Sequence, residues 1–323
     1  MPVDYSLLRP EIADHLRESE KLANQISKAD VNKTTAAWGR IAHNREVFRI
    51  NPKIITTHRV EDVYIKVSNF GQMLLRIYTP KHHAGPLPVL VHYHGGGWAR
   101  GHVNTHDNIC MQLANFSDCI VVAVDYPLAP EFKFHTIIEA CFEALQWTHK
   151  NAASFGGNHK KIAVIGSSAG ANLAAVMTLM ARDRNLPELV AYQILVCPPT
   201  DMLNLNKPSH DAFGGYAGFV RETMLMFRDL YLEDQAEANH PYFSPLLAKD
   251  LSRLPTALVI TAELDILRDD GRLYAERLKK SGVEVTEHCM LKMIHSGVFW
   301  SAAVPAIEED VRLICEQIKK QLA

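Results

Sequence analysis

The sequence predicts an α/β fold, a mostly parallel sheet with helices on both faces. Three observations carry this. From about residue 89 onward, short β-branched runs alternate with longer stretches of helical periodicity. One such run, Ile162 to Ile165, meets a small-residue helical stretch, Ala171 to Ala181, across Gly166-Ser167-Ser168-Ala169-Gly170. The 323 residues are 47% hydrophobic and 22% charged, ordinary globular composition and long enough to bury a substantial core.

In chain order, residues 4–50 read as helix, with Leu7, Leu8, Ile12 and Leu16, then Leu22 and Ile26, recurring at helical spacing. Asn51-Pro52 breaks the pattern. His58 to Val67 and Met73 to Tyr78, joined by Asn69-Phe70-Gly71, form a predicted antiparallel hairpin. A buried strand, Val89 to His94, runs into a glycine loop. Strand Ile120 to Asp125 precedes helix Ile137 to Lys150, and strand Ile162 to Ile165 precedes helix Ala171 to Arg184. Strand Val190 to Val196 leads into an irregular region. Strand Ala257 to Thr261, helix Arg268 to Ser281, strand Val283 to Met290 and a C-terminal helix complete the alternation.

Two segments stand outside it: the N-terminal region, and Thr200 to His240 with its predicted helix Glu222 to Leu232. Both are too long for ordinary connections. An insertion at the carboxyl end of a strand lies where open α/β sheets bind ligands. The predicted organisation is therefore N-terminal cap helices over residues 1–50, a core over 51–199 and 241–323, and a second cap segment over 200–240.

Composition excludes several classes. The net charge of −2, with signs interspersed, leaves no footprint for nucleic acid. No apolar run approaches the length of a membrane span, and Met1 to Arg17 has no signal-peptide stretch. Cys110, Cys119, Cys141, Cys197, Cys289 and Cys315 form no C-x-x-C pair and read as free, mostly buried thiols, which suits a reducing, cytoplasmic setting.

The chemistry gathers around Ser168. A serine at the apex of a strand–turn–helix sits on a strained turn that lifts its hydroxyl clear of the backbone. The bare G-x-S-x-G pattern arises by chance in roughly one chain in ten of this length, so the serine needs partners. A hydroxyl requires a base, and the base a third group that fixes its tautomer. Asp265 lies just beyond one predicted strand and His295 just beyond the next, at the same sheet edge as Ser168. The competitors fit worse. Asp201 follows the strand before the second cap segment. Asp269 and Asp270 open a helix, where carboxylates favour the dipole. His288 lies within a strand, and His240 precedes Pro241 in a turn. His94-Gly95-Gly96-Gly97-Trp98 offers backbone N–H groups that can converge on an oxyanion, with the N–H of Ala169 as the second half.

His92, His94, His102 and His106 are dense enough to raise a zinc site. No cysteine or carboxylate completes a ligand pattern, however, so no metal is expected. Nor is there a phosphate-binding glycine loop, and no cofactor is expected. Trp38, Trp98, Phe213, Tyr216 and Phe219 are candidates to line the substrate pocket.

These motifs together resemble the hormone-sensitive-lipase-like family of α/β-hydrolases, which includes carboxylesterases and arylacetamide deacetylases. The resemblance runs from about residue 58 to the C-terminus. His94 to Trp98 matches its oxyanion motif, and Asp125 to Glu131 its D-Y-R-L-A-P-E segment, with Pro127 for arginine. Gly166 to Gly170 matches G-D-S-A-G, with Ser167 for aspartate. Ser244-Pro245-Leu246 is similar to the segment that re-enters the core after the cap. Asp265 to Asp269 resembles D-P-L-R-D, and His295 the base of an H-G-F region, here with Ser296 inserted before Gly297.

The resemblance implies an eight-stranded α/β-hydrolase fold with a helical cap. It implies a serine carboxylesterase acting on short- to medium-chain esters, with Ser168, Asp265 and His295 as triad and Gly95, Gly96, Gly97 and Ala169 forming the oxyanion hole. It also implies a homodimer formed through the sheet edge at Val283 to Met290. Two alternatives stand beside it: an amide or arylacetamide deacetylase using the same triad, and a non-catalytic small-molecule receptor on this scaffold. Related plant receptors lack the triad histidine, so His295 argues for an enzyme.

Overall fold

Runs of β-branched residues with both faces buried make the centre of the sheet. Ile-Val-Val-Ala-Val at Ile120–Val124 (β4) is buried at every position, as is Tyr192–Val196 (β6). Such strands need cover on both sides. In the computed structural model, which describes residues 3–18, 39–44, 47, 56–81, 85–216 and 219–323, they receive it.

The other strands are β1 (Arg59–Val67), β2 (Gly71–Thr79), β3 (Leu87–Tyr93), β5 (Gly157–Ser167), β7 (Thr256–Leu264) and β8 (Val285–Ile294). They join in one eight-stranded sheet, ordered β1-β2-β4-β3-β5-β6-β7-β8. The predicted hairpin pairs β1 with β2, and β2 runs antiparallel to β4. From β4 to β8 every pairing is parallel.

Alternation along each strand splits the apolar side chains between two cores. Val89, Val91 and Tyr93 enter one, beneath the helices Phe134–Asn151 (α4), Ala169–Asp183 (α5) and Arg268–Lys280 (α8). Leu90, Val121, Ala163 and Ile165 enter the other. There they meet the N-terminal helix at residues 10–18 (α1), Asp107–Ser117 (α3) and the C-terminal helix Glu308–Leu322 (α9).

Three elements differ from expectation. Helix α3 is absent from the sequence reading; its buried positions Ile109, Cys110, Leu113 and Ala114 are at helical spacing, but polar residues dilute the stripe. Strand β5 starts five residues earlier than its apolar run, through the His159 to Lys161 stretch that is largely open to solvent. Strand β8 continues to Ile294, so His295 follows it directly. In the N-terminal region the described helices are α1 and residues 39–44 (α2). Leu22, Ile26, Trp38 and the Asn51-Pro52 break lie outside the described residues.

Among its described residues the stretch 200–240 holds two α-helices, Pro208–Phe213 (α6) and Arg221–Tyr231 (α7). It is fastened to the start of α8. Asp270 was expected simply to favour the helix dipole. Instead it is fully buried: its Oδ1 accepts the N–H groups of Thr200 and Asp201, each at 3.0 Å, and its Oδ2 lies 3.2 Å from the buried Lys207 ammonium. Asp269 accepts the N–H of Ser209 at 2.9 Å, and the Ser209 hydroxyl donates to the Ile266 carbonyl at 2.6 Å. All six cysteines are free, and all but Cys289 are buried. Among the described residues, no helix is long and apolar enough to cross a membrane.

Candidate active site

The turn between β5 and α5 is dictated by contact. A Cβ on Gly170 would lie 1.9 Å from the Tyr93 carbonyl oxygen of the neighbouring strand, so only glycine fits. Ser168, at the apex, has φ 54° and ψ −126°, and its N–H donates to the Val196 carbonyl at 2.9 Å. This is a strained conformation for a non-glycine residue, and it is the one that a serine displayed at the head of a helix requires.

Two further strand ends meet this turn. Asp265, buried directly after β7, accepts the Leu267 N–H at 2.9 Å on Oδ1. Its Oδ2 lies 2.8 Å from Nδ1 of His295, directly after β8. The imidazole stacks on Phe219, with centroids 4.3 Å apart and rings 20° from parallel. Ser168, His295, Phe219 and the glycines 95–97 all face one cavity of about 210 Å³. The Ser167 and Ser296 hydroxyls, at two of the positions where the chain departs from the motifs, are hydrogen-bonded at 2.6 Å and tie the serine turn to the histidine loop.

The glycine loop is closed by its own backbone: the Gly96 carbonyl accepts the N–H groups of Ala99 at 3.2 Å and Arg100 at 3.0 Å. Gly97 has φ 61°, and a Cβ there would stand 2.3 Å from the Phe227 ring. Arg40, on α2, braces the loop, donating through Nε to the Ala99 carbonyl at 2.7 Å and pairing with Glu131. Tyr126 donates to the His94 carbonyl at 2.7 Å and stacks on its ring, with centroids 4.1 Å apart.

Behind the loop, His92, His94 and His106 are buried, with His106 5.7 Å from His92 and 5.4 Å from His94 between ring centroids. Burial, and then the neighbouring His94, push His92 down to about 3. Burial likewise pushes His94 down to about 4. Both rings are neutral at physiological pH and pack as part of the core.

The structure sorts the remaining candidates. Phe219 lines the cavity. Trp98 does not; it is 1% exposed and stacks on Tyr231 with centroids 4.7 Å apart. Phe213 lies under the Arg268 guanidinium, and the Tyr216 hydroxyl donates to the Asp4 carbonyl, so both serve packing. Trp38 lies outside the described residues. Asp201 is occupied by the N–H groups of Leu203 and Asn204, each at 3.1 Å. His240 Nδ1 accepts the Tyr242 N–H at 3.0 Å. The sequence reading passed over His43, Phe227, Phe299 and Trp300, which complete the cavity wall. It also passed over Cys197, after β6, which is buried in the left-handed region (φ 49°) beside Asp265.

Comparison with known proteins gives a consistent result. Residues 90–299 match the family described as the alpha/beta hydrolase fold. An arylesterase of Saccharolobus solfataricus is 40% identical over 222 residues, 69% of this chain and 71% of the relative. A carboxylesterase of Mycobacterium tuberculosis, NlhH, is 38% identical over 261 residues, 80% of this chain and 81% of the relative. Among solved structures, the hyperthermophilic esterase of Pyrobaculum calidifontis superposes with a TM-score of 0.84 at 37% identity, covering 93% of this chain and 97% of that one. EstE1, a thermostable carboxylesterase from a metagenomic library, superposes with a TM-score of 0.86 at 36% identity, covering 90% and 98%.

Proposed function

The chain belongs to the α/β-hydrolase fold family and is a carboxylic ester hydrolase of the hormone-sensitive-lipase-like type; from that premise we propose that Ser168, His295 and Asp265 carry out the reaction on short- to medium-chain esters. The observation that carries this is the 2.8 Å contact between Asp265 Oδ2 and His295 Nδ1, beside a cavity that His295 shares with Ser168. A carboxylate there holds the ring proton on Nδ1 and leaves Nε2 free to accept another.

Ser168 Oγ attacks the ester carbonyl as His295 Nε2 takes its proton. Asp265 stabilises the imidazolium. The N–H groups of Gly96, Gly97 and Ala169 hold the tetrahedral oxyanion, and Gly95 lets the loop pass close to Ser167 and Ser168. Collapse expels the alcohol, which receives the proton from His295. Water, activated by the same base, then releases the acid from the acyl-enzyme.

Residues 1–50 and 200–240 act as the cap. His43 and Phe227 border the cavity from these segments, which supports the reading. A cavity of about 210 Å³, walled by Phe219, Phe227, Phe299 and Trp300, suits a small acyl group. Two finer readings go with it. Strand β8 stands at the sheet edge with Leu291 64% exposed, which supports pairing with a second copy. The six free thiols support a reducing, cytoplasmic setting.

The test is a series of nitrophenyl esters of graded acyl length, run on wild type, Ser168→Ala and Ser167→Ala, alongside fluorophosphonate labelling. Short acyl chains should turn over fastest. Ser168→Ala should lose activity by several orders of magnitude, and lose the label, while remaining folded. Retained activity in Ser168→Ala with loss in Ser167→Ala would reassign the nucleophile.

A further inference from the structure

Cys197 takes no part in the mechanism above, yet it is seated against it. β6, β7 and β8 are neighbours in the sheet, and their carboxyl ends deliver a thiol, a carboxylate and an imidazole to one point. The Cys197 Sγ, an Asp265 carboxylate oxygen and a His295 ring nitrogen all lie within 4.8 Å of one another. This is the one such three-ligand group among the described residues. The thiol is held in place: Cys197 keeps a left-handed backbone (φ 49°), and its N–H donates to the Ile260 carbonyl at 2.7 Å.

We propose that Cys197, Asp265 and His295 form an inhibitory site for a soft divalent cation of the zinc or cadmium class. The inhibitory effect rests on His295 being the catalytic base. Sulfur, oxygen and nitrogen donors together suit such ions. Bonds of about 2.0–2.3 Å in tetrahedral geometry place neighbouring ligand atoms about 3.3–3.7 Å apart. The widest pair, within 4.8 Å, therefore needs to close by about 1 Å, while the 2.8 Å Asp265–His295 pair opens by about 0.5 Å. His295, whose side chain is 13% exposed, opens the route from the cavity.

The proton accounting explains the inhibition. The ion displaces the thiol proton to solvent and takes the Nδ1 lone pair of His295, whose ring proton moves to Nε2. One proton is released per ion, and nothing is oxidised or reduced. With Nε2 protonated, the ring cannot accept the proton of Ser168. Chemistry stops while the pocket is unchanged, so kcat falls and KM holds. Burial, and then the adjacent carboxylate, hold the Cys197 thiol in its protonated form.

Cadmium chloride titration tests this in a Cys289→Ser background, which removes the one exposed thiol. Ester hydrolysis and the ultraviolet thiolate-to-cadmium absorption are read together. One thiolate per chain should be engaged in step with the loss of kcat, and chelation should restore activity. Cys197→Ala should show no absorption change and need at least about ten times more cadmium for half-inhibition, each variant being compared with its own metal-free rate. Cys197→Ser, closer in size, provides the same comparison should alanine fail to fold. Equal sensitivity of parent and Cys197 variants, or no absorption change at all, overturns the site while leaving the triad standing. Cys197-dependent absorption with undiminished turnover overturns the inhibitory role.

Discussion

Replacing His92 with leucine should remove one proton's worth of acid sensitivity from folding. His92 is 1% exposed on β3, its Nε2 has no hydrogen-bond partner, and its neighbours include Ile109, Leu113, Ile165 and Val196. Leucine therefore forfeits no polar contact at Nε2. Burial holds the folded-state pKa at about 3, against an ordinary histidine value of about 6.5. A folded pKa below the unfolded one means that the unfolded chain binds the extra proton. The stabilisation is complete above about pH 6.5 and is lost as the pH falls towards 3. At pH 5, about 1.5 units below the unfolded value, the loss is about 2 kcal/mol. That is a large share of the roughly 5–15 kcal/mol that stabilises a typical domain. His94, held at about 4 by burial, adds a second loss of the same sign. Urea unfolding at several pH values from 7.5 to 4.5 measures the slope directly. Between about pH 6 and 4.5, His92→Leu should lose stability less steeply than wild type by about 1.4 kcal/mol per pH unit. Parallel slopes would refute the argument, because they would mean that the wild-type ring takes up its proton while folded.

Two other outcomes follow from close contacts. Gly170→Ala places a Cβ 1.9 Å from the Tyr93 carbonyl oxygen. The obstacle is backbone, so the cost should exceed the usual ~1–3 kcal/mol of overpacking and appear as a large drop in melting temperature or loss of soluble protein; a melt like that of wild type would contradict the packing described. Ser167→Ala and Ser296→Ala each break the same 2.6 Å hydroxyl pair. Each should lower kcat/KM about two- to tenfold, the worth of one neutral hydrogen bond, and the double variant should be no worse than either single one. Additive losses would show that the two hydroxyls act separately.

The legible parts of this molecule are those whose cause is local. The β-branched run before Gly166 and the small residues after it specify strand, turn and helix within twenty residues. Asp265 and His295 were found because each follows a strand whose pattern is itself local. Helix α3 was missed because Cys110, Gln112 and Ser117 are buried in place of larger apolar residues, and so weaken the periodic signal. Asp270 looked like a dipole carboxylate because its true partners, Thr200, Asp201 and Lys207, are more than sixty residues away. Distance in the chain also hid Cys197, which meets Asp265 only once β6 and β7 are side by side. Among the aromatic candidates for the pocket, Phe219 stacks on His295 and Trp98 packs in the core. Hydrophobicity is the same in both places, and only packing tells them apart.

The bonds from residues 200–209 to the stretch Ile266 to Asp270 have a consequence for the evolvability of the enzyme. The insert that contributes Phe219 and Phe227 to the pocket wall is pinned to the same few residues that carry Asp265. Selectivity and rate are then mechanically linked traits. A lineage, or an engineer, that reshapes the insert to admit a new acyl group also disturbs the footing of Asp265, the carboxylate proposed to stabilise a charged His295. On the α2 side, where His43 enters the pocket, the coupling runs instead to the glycine loop, on which Arg40 leans, and not to the acid.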